Sequence, residues 1–146
     1  MKSKLILVGI VVAALLSLVA CSSAAEQAQV SVDIDDFMEQ KHISKEVEVA
    51  VDGSLTVTLC SNPTTGFLWS ESADISDQTV LEQTGHEYIA PEGEGDEPPA
   101  PGTAGKEVWT FTALKKGMTE VSMEYGRPWE GGEKAEWTFV LTVVVK

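Results

Sequence analysis

The sequence is poor in basic residues, in histidine and in cysteine. Its 146 residues include 10 Lys and Arg against 23 Asp and Glu, which gives a formal net charge of −13. Nucleic acid is therefore excluded as a partner, because a phosphate backbone is bound through lysine and arginine. The 2 His and 2 Cys argue against a zinc cluster. We expect no metal and no cofactor, and the length suits one domain of about 100–200 residues.

The first twenty residues have the composition of a targeting segment. Lys2 and Lys4 precede an uncharged apolar stretch, residues 5–16, of the length found in signal peptides. The apolar run continues to Ala20 but is short for a membrane span of about 20 residues. We therefore predict a signal peptide over residues 1–20.

Cleavage after this segment would leave a cysteine at the new N-terminus. Leu18-Val19-Ala20-Cys21 resembles a prokaryotic lipobox, in which the cysteine thiol receives diacylglycerol. The resemblance implies an exported lipoprotein, anchored to a prokaryotic membrane through Cys21, with its domain facing the periplasm or the cell exterior. The alternative is an ordinary secretory signal cut near Ala25. We interpret residues 21–29 as the lipidated cysteine and a flexible tether of small polar residues.

From Val30 onward, apolar and polar side chains alternate with a period of two. Residues 30–34 are a candidate edge strand, and Asp52-Gly53 is typical of a β-hairpin turn. The clearest segments are Val47-Val49-Val51, Leu55-Val57-Leu59, Trp109-Phe111-Ala113, Val121-Met123-Tyr125 and Trp137-Phe139-Leu141-Val143-Val145. A helical pattern is confined to one turn in residues 35–41. The pattern predicts an all-β fold, an antiparallel sandwich or barrel, over residues 30–146.

Three segments interrupt the alternation and are predicted to be loops. They are Asn62-Pro63-Thr64-Thr65-Gly66-Phe67, the Pro- and Gly-rich run 91–105, and the segment from Gly126 to Gly132. Loops held by a rigid sandwich are where binding residues collect. Pro63 stiffens the first of these segments, and Gly66 permits a positive φ. The segment is either a preorganised binding loop or an ordinary tight turn.

Trp129 differs from the other tryptophans of the chain. Trp69, Trp109 and Trp137 lie in strand patterns and are predicted to be in the core or on a sheet face. Trp129 lies in a loop flanked by Pro and Gly, two residues after Arg127, and Trp and Arg dominate the binding energy at many interfaces. The pair either forms a binding site or folds back onto the sandwich, with Arg127 paired to a local carboxylate.

Neither calcium binding nor catalysis is indicated. Acidic residues 92–97 lack the Asp-x-Asp spacing and distal Glu of a calcium loop, so we expect a solvated loop there. Cys60 with His42 or His86 is the only thiol–imidazole pair in the sequence that could form a nucleophile. We expect Cys60 to be a small, partly exposed residue at a strand end, and both histidines to be solvated. The protein is therefore predicted not to be an enzyme.

Together, the loop segments resemble the chagasin-type inhibitors of papain-like cysteine proteases. The resemblance covers about residues 44–146. The matching residues are Asn62-Pro63-Thr64-Thr65-Gly66-Phe67, Gly102-Thr103-Ala104-Gly105 before Trp109-Thr110-Phe111, and Arg127-Pro128-Trp129-Glu130. It implies an immunoglobulin-like β-sandwich with three binding loops clustered at one end. It also implies a monomeric domain that reversibly and tightly inhibits cathepsin L-like proteases by occluding the active-site cleft.

The resemblance implies a role for each segment. Thr64 and Thr65 would occupy the centre of the cleft near the enzyme's catalytic cysteine, with Asn62, Pro63, Gly66 and Phe67 beside them. One wall of the cleft would be touched by Gly102, Thr103, Ala104 and Gly105, and the other by Arg127, Pro128 and Trp129. Cys60 and the acidic residues 92–97 depart from the family pattern. The alternative is a lipid-anchored adhesion or assembly module that uses the same loops on a non-protease partner.

Overall fold

The computed structural model describes residues 23–146, so the predicted signal peptide and Cys21 lie outside the described residues. Its elements are β1 (Gln27–Val32), α1 (Ile34–Glu39), β2 (His42–Val49), β3 (Ser54–Ser61), β4 (Leu68–Trp69), β5 (Asp74–Ile75), β6 (Leu81–Ile89), β7 (Gly105–Ala113), β8 (Gly117–Gly126) and β9 (Trp137–Val145). The predicted tether overlaps β1, so residues 27–29 belong to a strand rather than to a flexible segment. Within the described range, no helix is long and apolar enough to span a bilayer.

The strands form two packed sheets. One has the order β1-β3-β7-β6 and the other β2-β9-β8-β4, with β5 also paired to β8. The inward positions follow the period-two pattern, because alternate residues of a strand face the same side. Leu55, Val57 and Leu59 of β3 are fully buried, and so are Trp109 and Phe111 of the neighbouring β7. The predicted all-β sandwich is confirmed.

The sheets are mixed, which corrects the expectation of a purely antiparallel sandwich. β1 pairs in parallel with β3, and β2 pairs in parallel with β9. The chain runs along β1, crosses to the other sheet through α1, returns along β2 and re-enters the first sheet as β3. β1 and β3 therefore run in the same direction. The period-two pattern is the same in parallel and antiparallel strands, so it does not predict the direction in which two strands pair.

The Asp52-Gly53 turn does not close a hairpin, and that prediction was wrong. It joins β2 to β3, which lie in different sheets. The turn chemistry itself is present, since Asp52 has a φ of 63° and Gly53 N–H donates to Ala50 O at 2.9 Å. A Cβ on Gly53 would lie 2.7 Å from Glu26 O, at the start of β1. Glycine is therefore needed where β1 approaches the turn.

Helix α1 closes the end of the sandwich at which β1 ends and β2 begins. The sequence predicted one turn over residues 35–41, and the structure has a short helix over Ile34–Glu39. Phe37 is its buried residue and stacks on Trp137 with ring centres 5.1 Å apart. It also packs against Trp69 at 5.3 Å. Trp69 and Trp137 each lie next to a loop, so α1 supports the end of the sandwich at which these loops lie.

Candidate functional site

Three loops meet at this same end. The first loop (residues 62–67) joins β3 to β4, the second (90–104) joins β6 to β7, and the third (127–136) joins β8 to β9. The first loop crosses from one sheet to the other, whereas each of the others stays within its own sheet. The first loop therefore lies between the other two.

The first loop is tightly organised by its own hydrogen bonds. Pro63–Thr65 form one turn of 3-10 helix, and Gly66 ends it with a φ of +80°. Asn62 closes the turn from both sides, because its Oδ1 accepts from Thr64 Oγ1 at 2.6 Å and its carbonyl accepts from Thr65 Oγ1 at 2.7 Å. Thr64 and Thr65 are nevertheless exposed at the tip. The loop is thus ordered before any partner arrives, which lowers the entropic cost of binding.

Buried aromatic residues hold the first loop on the sandwich. Asn62 N–H donates to Tyr125 Oη at 3.0 Å, and Phe67 stacks on the Tyr125 ring at 5.5 Å. Trp69 Nε1–H donates to Cys60 O at 2.8 Å, just before the loop begins. Burial raises the pKa of Tyr125, so its hydroxyl stays neutral and can accept the Asn62 bond. Tyr125, the last inward residue of β8, therefore helps to hold the first loop in place.

The second loop is bonded to the first through one side chain. Asn62 Nδ2–H donates to Gly102 O at 3.0 Å. Thr103 is exposed and folds back, because its Oγ1–H donates to Ala100 O at 2.7 Å. Gly105 lies in β7, where a Cβ would come within 2.4 Å of Ile89 O. Glycine is therefore needed at position 105, where β6 and β7 approach each other closely.

The third loop contacts the first through Arg127 and Trp129. Arg127 places its guanidinium 4.4 Å from the centre of the Phe67 ring and donates from Nη2 to Thr65 O at 3.3 Å. Trp129 is 52% exposed, and its ring lies against Gly66, whose added Cβ would be 2.6 Å from Trp129 Cη2. All three predicted segments are therefore brought together at one end of the sandwich.

Arg127 follows the alternative in which it folds back, whereas Trp129 stays half exposed. Arg127 does pair with a local carboxylate, since Nη1 donates to Glu133 Oε2 at 2.6 Å. A hydrogen bond from the Glu133 main chain, followed by the Arg127 contact, lowers the pKa of that carboxyl. Lys134 Nζ donates to the carbonyls of Arg127 and Trp129, at 2.6 and 2.8 Å. These bonds fix the loop backbone and leave the Trp129 ring half exposed.

A known protein family matches most of the described residues. Residues 48–143 match the model of the chagasin family peptidase inhibitor I42. The chain belongs to this family. It is a family of inhibitors, so the chain is not an enzyme. The match begins within β2, and β1 and α1 lie outside it. None of the curated proteins matches the sequence.

Solved structures of low sequence identity share the fold. The cysteine protease inhibitor EhICP2 from Entamoeba histolytica is 19% identical with a TM-score of 0.61, over 82% of this chain and 97% of that one. Amebosin is 24% identical with a TM-score of 0.50, over 81% and 98%. PbICP-C, solved in complex with falcipain-2, is 17% identical with a TM-score of 0.50, over 80% and 99%. At these identities the likeness extends to the fold alone.

Cys60 is buried rather than partly exposed, which corrects the expectation. It is 7% exposed, and burial, together with the nearby Asp33 carboxylate, raises its pKa to about 11. The thiol is therefore protonated at neutral pH and is a poor nucleophile. Its neighbours Leu59 and Ser61 are also buried, so both faces of β3 are covered at this point. This family member uses Cys60 as a small core residue.

His86 is not a solvated side chain, contrary to the prediction. Its Nε2 lies 2.8 Å from Glu107 Oε2, and its ring packs on Trp109 at 4.9 Å. Glu107 is buried and also accepts a bond from Ser61 Oγ at 2.6 Å. The sequence contains one signal of this contact, since Glu107 lies two residues before Trp109 and therefore on the same inward face as Trp109 and Phe111. His42, by contrast, is exposed and contacts Thr138 Oγ1 at 2.8 Å.

The acidic segment of the second loop is solvent exposed, as are most of its neighbours. All of the acidic residues in 92–97 are exposed. Gly93 lies so close to the returning chain that a Cβ would be 1.7 Å from Glu97 O. Residues 23–146 contain no group of three or more His, Cys, Asp or Glu side chains placed to hold a metal ion.

Proposed function

We propose that the protein is a reversible, tight-binding inhibitor of papain-like, cathepsin L-like cysteine proteases, and that its three loops fill the active-site cleft. The observation that carries this proposal is the bonding of the three loops into one surface. Asn62 bonds to the second loop, and Thr65 and Phe67 contact Arg127 of the third. Family membership supports inhibition, and the related fold of PbICP-C has been solved with the protease falcipain-2.

The order of the loops suits their insertion into an active-site cleft. The first loop lies in the middle and presents Thr64 and Thr65, which we assign to the centre of the cleft. Gly102, Thr103, Ala104 and Gly105 would face one wall, and Arg127, Pro128 and Trp129 the other. The backbone at the tip is a 3-10 turn and not an extended segment. A protease cleft that binds extended peptides would therefore hold a turn instead, and this favours binding of the loop without its cleavage.

Electrostatics narrows the choice of target. Removal of the leader would take away Lys2 and Lys4, leaving a formal charge of −15. The exposed acidic residues 92–97 lie in the loop assigned to one wall of the cleft. Like charges across an interface are costly and opposite charges speed association. We therefore propose that the preferred protease has a basic rim beside its cleft.

A panel of papain-like proteases tests the inhibitor function. Purified residues 22–146 are titrated against papain and several cathepsin L-like enzymes with a fluorogenic substrate, and we expect inhibition that is reversed on dilution. No inhibition of any enzyme at micromolar concentration would reject the proposal. That result would favour the alternative of an adhesion or assembly module that uses the same loop surface.

We also propose that the protein is a lipoprotein anchored through Cys21, with its domain outside the cytoplasmic membrane. The motif Leu18-Val19-Ala20-Cys21 supports this proposal. Cells that express the protein or its Cys21→Ser variant are labelled with palmitate. Label in the first and its loss in the second is expected. Equal labelling of both would contradict attachment at Cys21, and absence of label from both would favour a secretory signal cut near Ala25.

A further inference from the structure

A buried polar chain joins three strands directly beneath the first and second loops. Ser61 of β3 donates to Glu107 Oε1 of β7 at 2.6 Å, and His86 of β6 contacts Glu107 Oε2 at 2.8 Å. The Glu107 side chain is 5% exposed and the His86 side chain 20%. A carboxylate at an inward position of the sheet is tolerated only when it is hydrogen-bonded. Both of its oxygens have a partner here.

A β-bulge aims His86 at this carboxylate. β6 pairs with β7 residue by residue from Leu81, and the register shifts between Gln83 and Gly85, so that Thr84 is the extra residue. Side chains of a strand alternate between its faces, and a bulge reverses which residues face inward. His86 consequently pairs with the inward Trp109. Without the bulge, His86 would point to the outer face of the sheet.

Ser61 connects Glu107 to the first loop. It is buried, pairs with Gly105 across β3 and β7, and is followed directly by Asn62. The Asn62 side chain in turn bonds Gly102 of the second loop and Thr64 at the tip. The position of Asn62 therefore depends on Tyr125 from one sheet and on Ser61 from the other.

The pair borders an open cavity of about 590 Å³ at the side of the sandwich. His86 and Glu107 lie in its wall, between β4 and β6. The other titratable or charged side chains that face His86 across this cavity or the neighbouring one are Glu71, Glu82, Tyr88, Glu124, Arg127 and Lys134. Arg127 and Lys134 already bond within the third loop. Glu107 supplies the carboxylate in contact with the imidazole.

We propose that His86 and Glu107 are positioning residues of the inhibitory surface, which hold the first loop through Ser61. The inference rests on the proposed inhibitor function. Hydrogen bonds to a carboxylate are charge-assisted and about twice as strong as bonds between neutral groups. Glu107 therefore holds Ser61, and with it the start of the first loop. His86 fixes the orientation of that carboxylate through its second oxygen.

The test compares three variants by their inhibition constants against one protease. Glu107→Leu removes both polar contacts, Glu107→Gln keeps an acceptor for Ser61 and a polar contact for His86, and His86→Phe keeps a ring against Trp109. We expect Glu107→Leu and His86→Phe to weaken inhibition by at least about threefold, and Glu107→Gln to retain most of the wild-type affinity. His42→Phe, which removes the other imidazole of the sequence, should leave inhibition unchanged.

A measurement on the free protein separates this inference from the inhibitor function. The amide hydrogen exchange of Ser61, Asn62 and Thr64 is followed by NMR. We expect it to be faster in Glu107→Leu and His86→Phe than in the wild type, and near the wild-type rate in Glu107→Gln. Thermal melts confirm that the variants are folded. Unchanged inhibition by Glu107→Leu and His86→Phe, or loop amides that exchange at the wild-type rate in both, would overturn the proposal. A wild type that inhibits no protease would reject the proposed function, and the amide exchange would still decide whether His86 and Glu107 position the loop.

Discussion

The guanidinium of Arg127 lies 4.4 Å from the centre of the Phe67 ring and bonds Thr65 O, so one side chain joins the third loop to the first. The flat face of arginine packs on an aromatic ring while its edge donates hydrogen bonds, and a lysine ammonium cannot do both. Arg127→Lys should therefore weaken protease inhibition by about 1 kcal/mol, or about fivefold, with little change in melting temperature. Inhibition constants and thermal melts check this. Lys116→Ala, which removes an exposed charge at the opposite end, is the control.

Trp129 should dominate the binding energy of the third loop. It is 52% exposed, so truncation leaves the core intact. We expect Trp129→Ala to weaken inhibition by about 2 kcal/mol, or about 30-fold, because exposed tryptophans at interface centres are frequent hot spots. The matched variant is Met118→Ala, a large exposed apolar side chain at the opposite end. Unchanged inhibition constants for Trp129→Ala would remove this residue from the binding surface.

Gly66 offers a test of whether the loops act as one surface. Gly66→Ala places a methyl group 2.6 Å from Trp129 Cη2, in a backbone of φ +80°. Gly95 has a φ of +63° with nothing within 4 Å of its added Cβ, so Gly95→Ala isolates the backbone cost. Both variants should lose about 1 kcal/mol of folding free energy. Only Gly66→Ala should also lose inhibition, measured by titration. Equal inhibition by the two variants would show that the Trp129 position is unimportant.

Cys60 should be unreactive, and it should make the stability of the protein depend on pH only in alkaline solution. Burial raises its pKa to about 11 from 9.0, so the neutral thiol is favoured by folding. Its contribution to stability is therefore complete below pH 9 and is lost as the pH rises through 11. At pH 8 the folded protein should resist alkylation by iodoacetamide, as followed by mass spectrometry, while the urea-unfolded protein reacts. The wild type should also lose more stability than Cys60→Ala between pH 9 and 11. Rapid alkylation of the folded protein would contradict this.

Period-two patterning was sufficient to predict the strands that form the core. Leu55-Val57-Leu59 and Trp109-Phe111-Ala113 are all buried, and Trp69 and Trp109 lie in the core as expected. Trp137 is partly buried and packs against the core. The Asn62 segment, with its proline and glycine, also revealed its turn from local chemistry. Where a residue's surroundings are set by its own strand or turn, the sequence was informative.

Features that depend on strands distant in sequence could not be predicted. The parallel pairing of β1 with β3 depends on the crossing through α1, and the Asp52-Gly53 turn has the same local chemistry whether or not its strands pair. The contact of His86 with Glu107 depends on a one-residue bulge, which reverses the inward face of β6 without a recognisable sequence mark. The inward position of Glu107 in β7 was the one visible clue. Its partners became apparent only in the structure.

The position of β1 determines how an anchored molecule would be displayed. Gln27 pairs with Ser54 at the end of β3 opposite Ser61, so the chain enters the domain at the end farthest from the loops. If Cys21 carries lipid, residues 22–26 reach at most about 18 Å, and the eight residues of β3 add about 25 Å. The domain would then stand upright close to the bilayer. Its three loops would point into the surrounding fluid, open to a protease that arrives from solution.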